Sequence, residues 1–417
     1  MVAEGRIKAE RLRDTIRALR HRNYRIYFFA LLISFVGTWM QSVAQSWLIY
    51  RLTQSAWLLG FVAFIGQVPV LLLAPVGGVL ADRRSRFRIV LVTQALAMTQ
   101  ALMLAALTLS GRVTVGAVIA LALALGIVNA FDLPARQAFL SELVSKQDLI
   151  NAIALNSSLI NGARIAGPAL AGVIIAWVGE GFCFLVNGLS FIAVIAGLLS
   201  LRLDKRESAP PEGSAISALK EGFDYVRSTR SVRALLLLVA FVSIFGLSYI
   251  VLMPIFADAV LGGGPRALGI LLGAAGTGAL GGALTLAARR EVHGLGRVVA
   301  VSVGILGVML VLFSLSRSLV LSSLLLVPVG FTLMLQMAAS NTLLQSMVDD
   351  RLRGRVMSFY SMSLMGMSPF GSLLAGALAA RFGAPAAVAA GGALCFAAAL
   401  FSLASQKQSG ASSESRV

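Results

Sequence analysis

Charged residues are scarce in this sequence: they make up 13% of 417 residues, about half of the ~25% usual in a soluble domain. A globule of this size with so little polar surface would not stay dissolved, so the medium it fits is lipid. Cysteine is nearly absent. The two present, Cys183 and Cys395, lie inside apolar runs, which excludes a disulfide framework and a cysteine-based metal cluster. Also missing are a P-loop, a zinc-type spacing and a nucleophile elbow, so ATP hydrolysis, other enzymatic chemistry, a metal and a cofactor are not expected. The run Gly276-Thr277-Gly278-Ala279-Leu280-Gly281 spells a dinucleotide fingerprint. It stands within a hydrophobic span, with no preceding strand and no acid about 20 residues on, and reads as close helix packing. Dyad alternation is lacking, which excludes a transmembrane barrel. No sizeable extramembrane domain stands out, against a receptor or scaffold. The first 25 residues are polar and arginine-rich, unlike a cleavable signal, so the first hydrophobic span is expected to serve as an uncleaved insertion signal.

What the sequence has is long apolar runs. About 20 apolar residues cross a ~30 Å hydrocarbon core, and twelve such runs are predicted, at 26–50, 57–81, 89–110, 114–137, 152–178, 182–201, 234–257, 266–288, 298–316, 319–345, 356–380 and 385–405. The fold class is therefore an all-α membrane protein. The formal charge of +17 suggests nucleic acid at first sight, but the basic residues sit in short loops between apolar runs, and no nucleic acid partner is expected. One side collects Arg6, Lys8, Arg11, Arg13, Arg17, Arg20, Arg22, Arg25, Arg83, Arg84, Arg86, Arg88, Arg202, Lys205, Arg206, Lys220, Arg227, Arg230 and Arg233. The other has only Arg51, Arg112, Arg266, Arg317 and Arg381. By the positive-inside rule both termini are expected in the cytoplasm.

The domain organisation expected is a basic segment at 1–25, a six-helix bundle at 26–201, a linker at 202–233, a second six-helix bundle at 234–405 and a disordered tail at 406–417. The linker opens polar, with Ser208, Pro210 and Pro211, then turns helix-compatible from Ala215 to Arg233, with Phe223 and Val226 on one face. An amphipathic helix on the inner membrane surface fits that pattern. The bundles repeat one another: Gly77, Gly78, Gly126, Gly162, Gly167, Gly172 and Gly179 each have a glycine 204 positions later, at Gly281, Gly282, Gly330, Gly366, Gly371, Gly376 and Gly383. Six spans separate the copies, so they share one orientation and are expected to be related by an axis along the membrane normal.

The loop Gly78-Val79-Leu80-Ala81-Asp82-Arg83-Arg84-Ser85-Arg86-Phe87-Arg88 resembles the G-x-L-A-D-R-x-G-R-K signature of the major facilitator superfamily, with Ser85 in place of a glycine. The stretch Gly162-Ala163-Arg164-Ile165-Ala166-Gly167-Pro168-Ala169-Leu170-Ala171-Gly172 is similar to the glycine–proline motif on the fifth helix of that superfamily's antiporters. Phe131-Asp132-Leu133-Pro134-Ala135-Arg136-Gln137 and Arg353-Gly354-Arg355-Val356 resemble the branch of enterobactin-type siderophore exporters and multidrug effluxers. The resemblance implies a monomeric transporter in the bacterial inner membrane, exporting small amphipathic molecules by proton antiport and alternating access. Import of a small organic solute, and transport or flipping of a lipid or lysophospholipid, are the rival activities. It also implies a gate in which Gly78, Asp82, Arg83 and Arg86 meet the amino end of the eleventh span near Gly354, and a seal against leak at Gly162, Gly167, Pro168 and Gly172. Topology charge alone is the plainer alternative for the arginines, and ordinary helix packing accounts equally for the glycines.

Read as residues, Asp82 stands at the carboxyl end of its helix, where the dipole disfavours a negative charge. Arg83 and Arg86 are within reach to offset it. Arg164 lies near mid-span, where a charge costs roughly 2.5–3.5 kcal/mol. It is expected to attract an anionic part of a substrate or to pair with a carboxylate, Asp132 being the best placed. Asp132 is the default proton-coupling residue, and pairing with Arg136 one turn on is the plainer alternative. Gln41 and Gln45, with Thr38 on the same face, and Gln67, Gln94, Gln100, Gln336 and Asn341 are candidates to line a polar passage or to bond between helices. Trp39, Trp47, Phe245 and Tyr249 are candidates for its walls.

Overall fold

The computed structural model describes residues 17–202, 215–289 and 294–414. Arg6, Lys8, Arg11, Arg13, Lys205, Arg206, Ser208, Pro210 and Pro211 lie outside the described residues. Twelve helices among those described are long and apolar enough to cross a membrane. The first six are α1 (Arg22–Thr53), α2 (Ala56–Arg83), α3 (Arg86–Leu109), α4 (Val115–Leu143), α5 (Leu149–Val178) and α6 (Glu180–Leu199). After the short linker helix α7 (Ala215–Ser228) come α8 (Arg230–Val260), α9 (Gly264–Ala288), α10 (Leu295–Leu315), α11 (Leu319–Met347), α12 (Arg351–Phe382) and α13 (Ala384–Glu414). Each matches a hydrophobic run of the sequence. The helices extend a few residues past the runs because polar groups outside an apolar core can still close backbone hydrogen bonds.

Two local expectations change. The linker helix stops at Ser228 instead of running to Arg233, because Thr229 turns extended (φ −93°, ψ 100°) and α8 starts afresh at Arg230. The backbone of α13 continues to Glu414, through the stretch expected to be a disordered tail. Ala404, Gln406, Lys407 and Gln408 are good helix formers and no proline interrupts them.

The chain divides into two compact units, one of residues 1–45 and 72–211, the other of 46–71 and 212–417. Segment 46–71, counted with the N-terminal bundle by sequence, groups with the second. There Gly60 and Gly376 bring two backbones together, a Cβ built on Gly376 falling 2.9 Å from the Gly60 Cα. In the first unit a core of Tyr24, Tyr27, Leu31, Phe139, Leu143 and Leu198 ties α1, α4 and α6 at the end bearing the arginine-rich loop. In the second, Val232, Leu236, Leu295, Val299, Leu344 and Val356 do the same for α8, α10, α11 and α12.

The repeat is written into the contacts. A Cβ on Gly167 of α5 would fall 2.5 Å from the Trp39 Cβ and 3.0 Å from the Met40 nitrogen on α1. At the position 204 residues on, Gly371 of α12 meets Ile244 of α8, 2.5 Å from its carbonyl oxygen, and Ile244 itself stands 204 positions after Met40. Both helices end on a glycine of like backbone, Gly179 (φ 86°, ψ 167°) and Gly383 (φ 87°, ψ 154°), a conformation L side chains avoid.

The halves differ in regularity. Where α1 and α5 are continuous, α8 carries a 3₁₀ turn at Ser248–Leu252 and a π turn at Phe256–Val260, and α12 a π turn at Met362–Gly366. Pro254 supplies one cause, having no N–H to donate to the preceding turn. The Ser243 hydroxyl of α8 donates to the Leu364 carbonyl within the π turn of α12, at 2.5 Å.

Candidate functional site

Buried polar groups concentrate in the first unit. Asp132 lies on α4 with 3% of its surface exposed. Its carboxylate pairs with Arg136 one turn along, at 2.8 Å, and its Oδ1 accepts from the Thr93 hydroxyl at 2.7 Å and the Gln94 amide at 2.9 Å. The Arg136 guanidinium sits 4.9 Å above the Phe35 ring. Of the two partners considered for Asp132, the structure selects Arg136. An i,i+4 ion pair needs only its own helix to set the geometry.

Arg164, half-buried on α5, instead lies over the indole of Trp39, its central carbon 5.0 Å from the ring centroid. The close approach of α5 to α1 at Gly167 sets that stack, since a side chain there would hold Trp39 away. A guanidinium on an aromatic face is held there by the attraction between its charge and the ring's electron-rich face, and Arg164 makes a further polar or electrostatic contact besides.

A third set is neutral. The Gln41 amide donates to the Gln100 carbonyl oxygen at 2.9 Å, and Asn187 donates to Gln41 at 2.8 Å. The Ser190 hydroxyl donates to the Asn187 backbone oxygen at 2.7 Å. All four are buried, so α1, α3 and α6 are joined by a fully polar chain in an apolar surround. Asn187 and Ser190 escaped the sequence reading. A lone Asn within an apolar span is the signal that could have found them. Gln45 is half-buried and Thr38 bonds back to the Ser34 carbonyl at 2.9 Å.

The loop after α2 arranges its charges differently from expectation. The Arg86 guanidinium reaches Glu142 at 3.2 Å, with the Ala81 and Ala138 carbonyls at 3.4 and 3.5 Å, and so does not offset Asp82. The acid on α4 competes successfully because Arg86 starts α3 and points across to the end of α4. Asp82 and Arg83 are exposed, and Asp82 makes no ion pair among the described residues. Gly78 and Gly162 have nothing within 4 Å of where a Cβ would stand, whereas Gly167 is tightly opposed, and Pro168 and Gly172 are buried. Nearby, Asp148 ahead of α5 accepts from His21 at 2.8 Å, pairs with Arg17 and accepts from Ser145 at 3.2 Å. The His21 hydrogen bond foremost, then those of Ser145 and Arg17, hold its carboxyl below the usual range.

In the second unit, Gln336 is buried and donates to the Ser340 hydroxyl at 3.2 Å, while Asn341 accepts from Gln345 at 2.5 Å. Gln67 is exposed, Phe245 half-buried and Trp47 and Tyr249 buried. Glu221 of α7 pairs with Arg351 at 3.0 Å and with Arg355, both on α12, and Gly354 between them is exposed. Sequence reading placed the gate near Gly354 and overlooked Glu221, an acid in a linker read for its basic residues. The hollow lined by Phe245, Ser248, Gly371, Leu374, Gly391 and Leu394 offers about 20 Å³, too little for a drug-sized molecule. No cluster of His, Cys, Asp and Glu among the described residues could hold a metal.

Residues 14–416 match the family model described as transmembrane secretion effector. The chain belongs to that family, within the major facilitator superfamily. It is 28% identical over 361 residues to the staphyloferrin A transporter of Staphylococcus aureus, covering 86% of this chain and 90% of that protein. It is 27% identical to the multidrug efflux pump Tap of Mycolicibacterium fortuitum, covering 85% and 88%. With the enterobactin exporter EntS of Shigella flexneri it shares 25% identity over 89% and 88%. Among solved structures, a bacterial homolog of the human lysosomal transporter Spinster, inward-facing and occupied, superposes with a TM-score of 0.72 over 93% of this chain and 97% of that one, at 15% identity. This family member is thus a multi-pass inner-membrane transporter of small molecules, of the siderophore and drug efflux type, and not an enzyme.

Proposed function

We propose that the chain exports small amphipathic molecules, siderophore-like or drug-like, out of the cytoplasm by proton antiport with alternating access, as a monomer with both termini in the cytoplasm and six helices in each half. The observation that carries the substrate class is Arg164 stacked on Trp39. A cation in mid-helix, backed by an aromatic plane and flanked by apolar residues, suits a molecule with an anionic group on a hydrophobic body. Two of the three relatives, a multidrug efflux pump and an enterobactin exporter, support export, and the third is a staphyloferrin A transporter. Asp132 is the proton carrier in this reading, Arg164 the substrate-facing charge, and the Gln41–Gln100–Asn187 chain the polar support behind them. Gln45, Gln67, Gln336 and Asn341 are secondary contacts. Gly78, Asp82, Arg83 and Arg86 are the gating residues proposed in the first unit and Gly354 in the second, and Gly162, Gly167, Pro168 and Gly172 are the proposed seal.

The test is uptake into inverted membrane vesicles of metal-free staphyloferrin A, enterobactin and the anionic dye carboxyfluorescein, with wild-type and Arg164→Ala chains. Arg164→Ala should lower uptake of the anionic probes at least tenfold while its abundance stays unchanged. Equal uptake by the two chains removes Arg164 from substrate recognition.

A further inference from the structure

The 204-residue repeat that aligns the glycines also aligns the buried polar pairs. Asp132 maps to Gln336 and Arg136 to Ser340. In each half the two residues are one helical turn apart, on α4 and α11, and bonded to each other. Asp132 is 3% exposed and Gln336 1%. One position therefore holds an ion pair in the first half and a neutral amide–hydroxyl pair in the second, on matching helices.

The surroundings of Asp132 are built for two states of charge. The Thr93 hydroxyl has a single hydrogen but two acceptors in range, the Asp132 carboxylate at 2.7 Å and the Val90 carbonyl at 2.9 Å. With Asp132 ionised, Thr93 donates to it. With Asp132 protonated, the acid donates to the Thr93 oxygen and Thr93 turns its hydrogen to Val90, so neither state strands the Thr93 hydroxyl or the carboxyl proton. Gln94 donates to the same Oδ1 from α3. From α1, the buried Tyr27 ring meets Phe139 of α4 edge-on, with centroids 5.6 Å apart, and its hydroxyl has no hydrogen-bond partner among the described residues.

We propose that Asp132 and Arg136 form a proton-exchange site whose carboxyl is hydrogen-bonded in both states through the Thr93 toggle, and that Gln336–Ser340 is its permanently neutral copy, so that only one of the two repeat-related positions changes charge. This deepens the antiport reading and rests on it for its role in transport. In the step, a proton from solvent forms an O–H bond on the Asp132 carboxylate, and the site passes from zero net charge to +1, carried by Arg136. On release the O–H bond breaks, the proton returns to solvent and the ion pair re-forms. Thr93 is a positioning residue.

Infrared difference spectra between acid and neutral pH, on the purified chain in lipid, test the site without any substrate. A protonated-carboxyl band should be present in wild type, absent in Asp132→Asn, retained in Asp82→Asn, shifted in frequency in Thr93→Val and restored to its wild-type position in Thr93→Ser. Should Asp132→Asn fail to fold, the Thr93 pair still decides, since a band identical in wild type and Thr93→Val overturns the proposal. Replacing Asp132 by Gln alone should lower yield and melting temperature by leaving the half-buried Arg136 without its counter-charge, and adding Arg136→Ser, which copies the second half, should restore both. A double variant no better folded than the single one contradicts the equivalence of the two pairs. A wild-type chain that shows the band but moves carboxyfluorescein regardless of the pH gradient defeats the antiport reading while supporting the site; a chain driven by the gradient but lacking the band defeats the site alone.

Discussion

Asp132 illustrates how a residue's neighbours decide its chemistry. The sequence places an acid in an apolar run and an arginine one turn later, and the pair follows from helix geometry alone. Thr93 and Gln94 come from another helix, and no spacing in one chain says which face of α3 meets α4. Removing one member of such a buried pair typically costs about 3–5 kcal/mol, whereas exchanging both for neutral residues is near zero. Thermal unfolding of Asp132→Gln should therefore show a clear drop that Asp132→Gln with Arg136→Ser does not. Asp148 gives a prediction in pH. Its carboxyl is held low in the folded state by His21, Ser145 and Arg17. Its contribution is therefore full above the ordinary carboxylate value of ~4 and is lost as pH falls through the lower folded value. Asp148→Asn should melt below wild type near neutral pH, with the difference closing in strong acid; a constant difference across that range would contradict the linkage.

At the scale of elements, the twelve spans were legible because each needs only length and apolarity. The glycine repeat was legible too, and the structure gives it content: Gly167 against Met40 and Gly371 against Ile244 are one contact made twice. Adding a methyl group there meets backbone atoms, so Gly167→Ala and Gly371→Ala should each cost roughly 1–3 kcal/mol. Gly162→Ala, with open space around it, should fall within about 0.5 kcal/mol of wild type. Melting curves of the three in detergent would separate them, and equal losses would show that the approach is softer than it looks. The irregular turns of α8 and α12 were not legible, because they depend on Pro254 and on Ser243 bonding a carbonyl of another helix. Nor was the docking of α7, which rests on Glu221 between Arg351 and Arg355. Exposed pairs contribute under about 1 kcal/mol, so Glu221→Gln should leave global stability nearly unchanged yet raise hydrogen exchange in α7. Unaltered exchange would show that other contacts hold the helix.

For the whole molecule, composition and span count give a multi-pass membrane protein, and the family match over almost the full chain makes it a transporter. Direction and driving force are what the account adds. The driving force is proposed from Asp132 and the substrate class from Arg164 stacked on Trp39, each assembled from residues that sequence shows singly and only the fold brings together, while export is proposed from the efflux relatives. Inverted vesicles loaded acid inside measure both at once. The account predicts that metal-free staphyloferrin A, enterobactin or carboxyfluorescein accumulates in the lumen, that the lumen alkalinises as it does so, and that a protonophore abolishes the accumulation. Uptake that ignores the gradient, or that requires it reversed, would contradict proton-driven export.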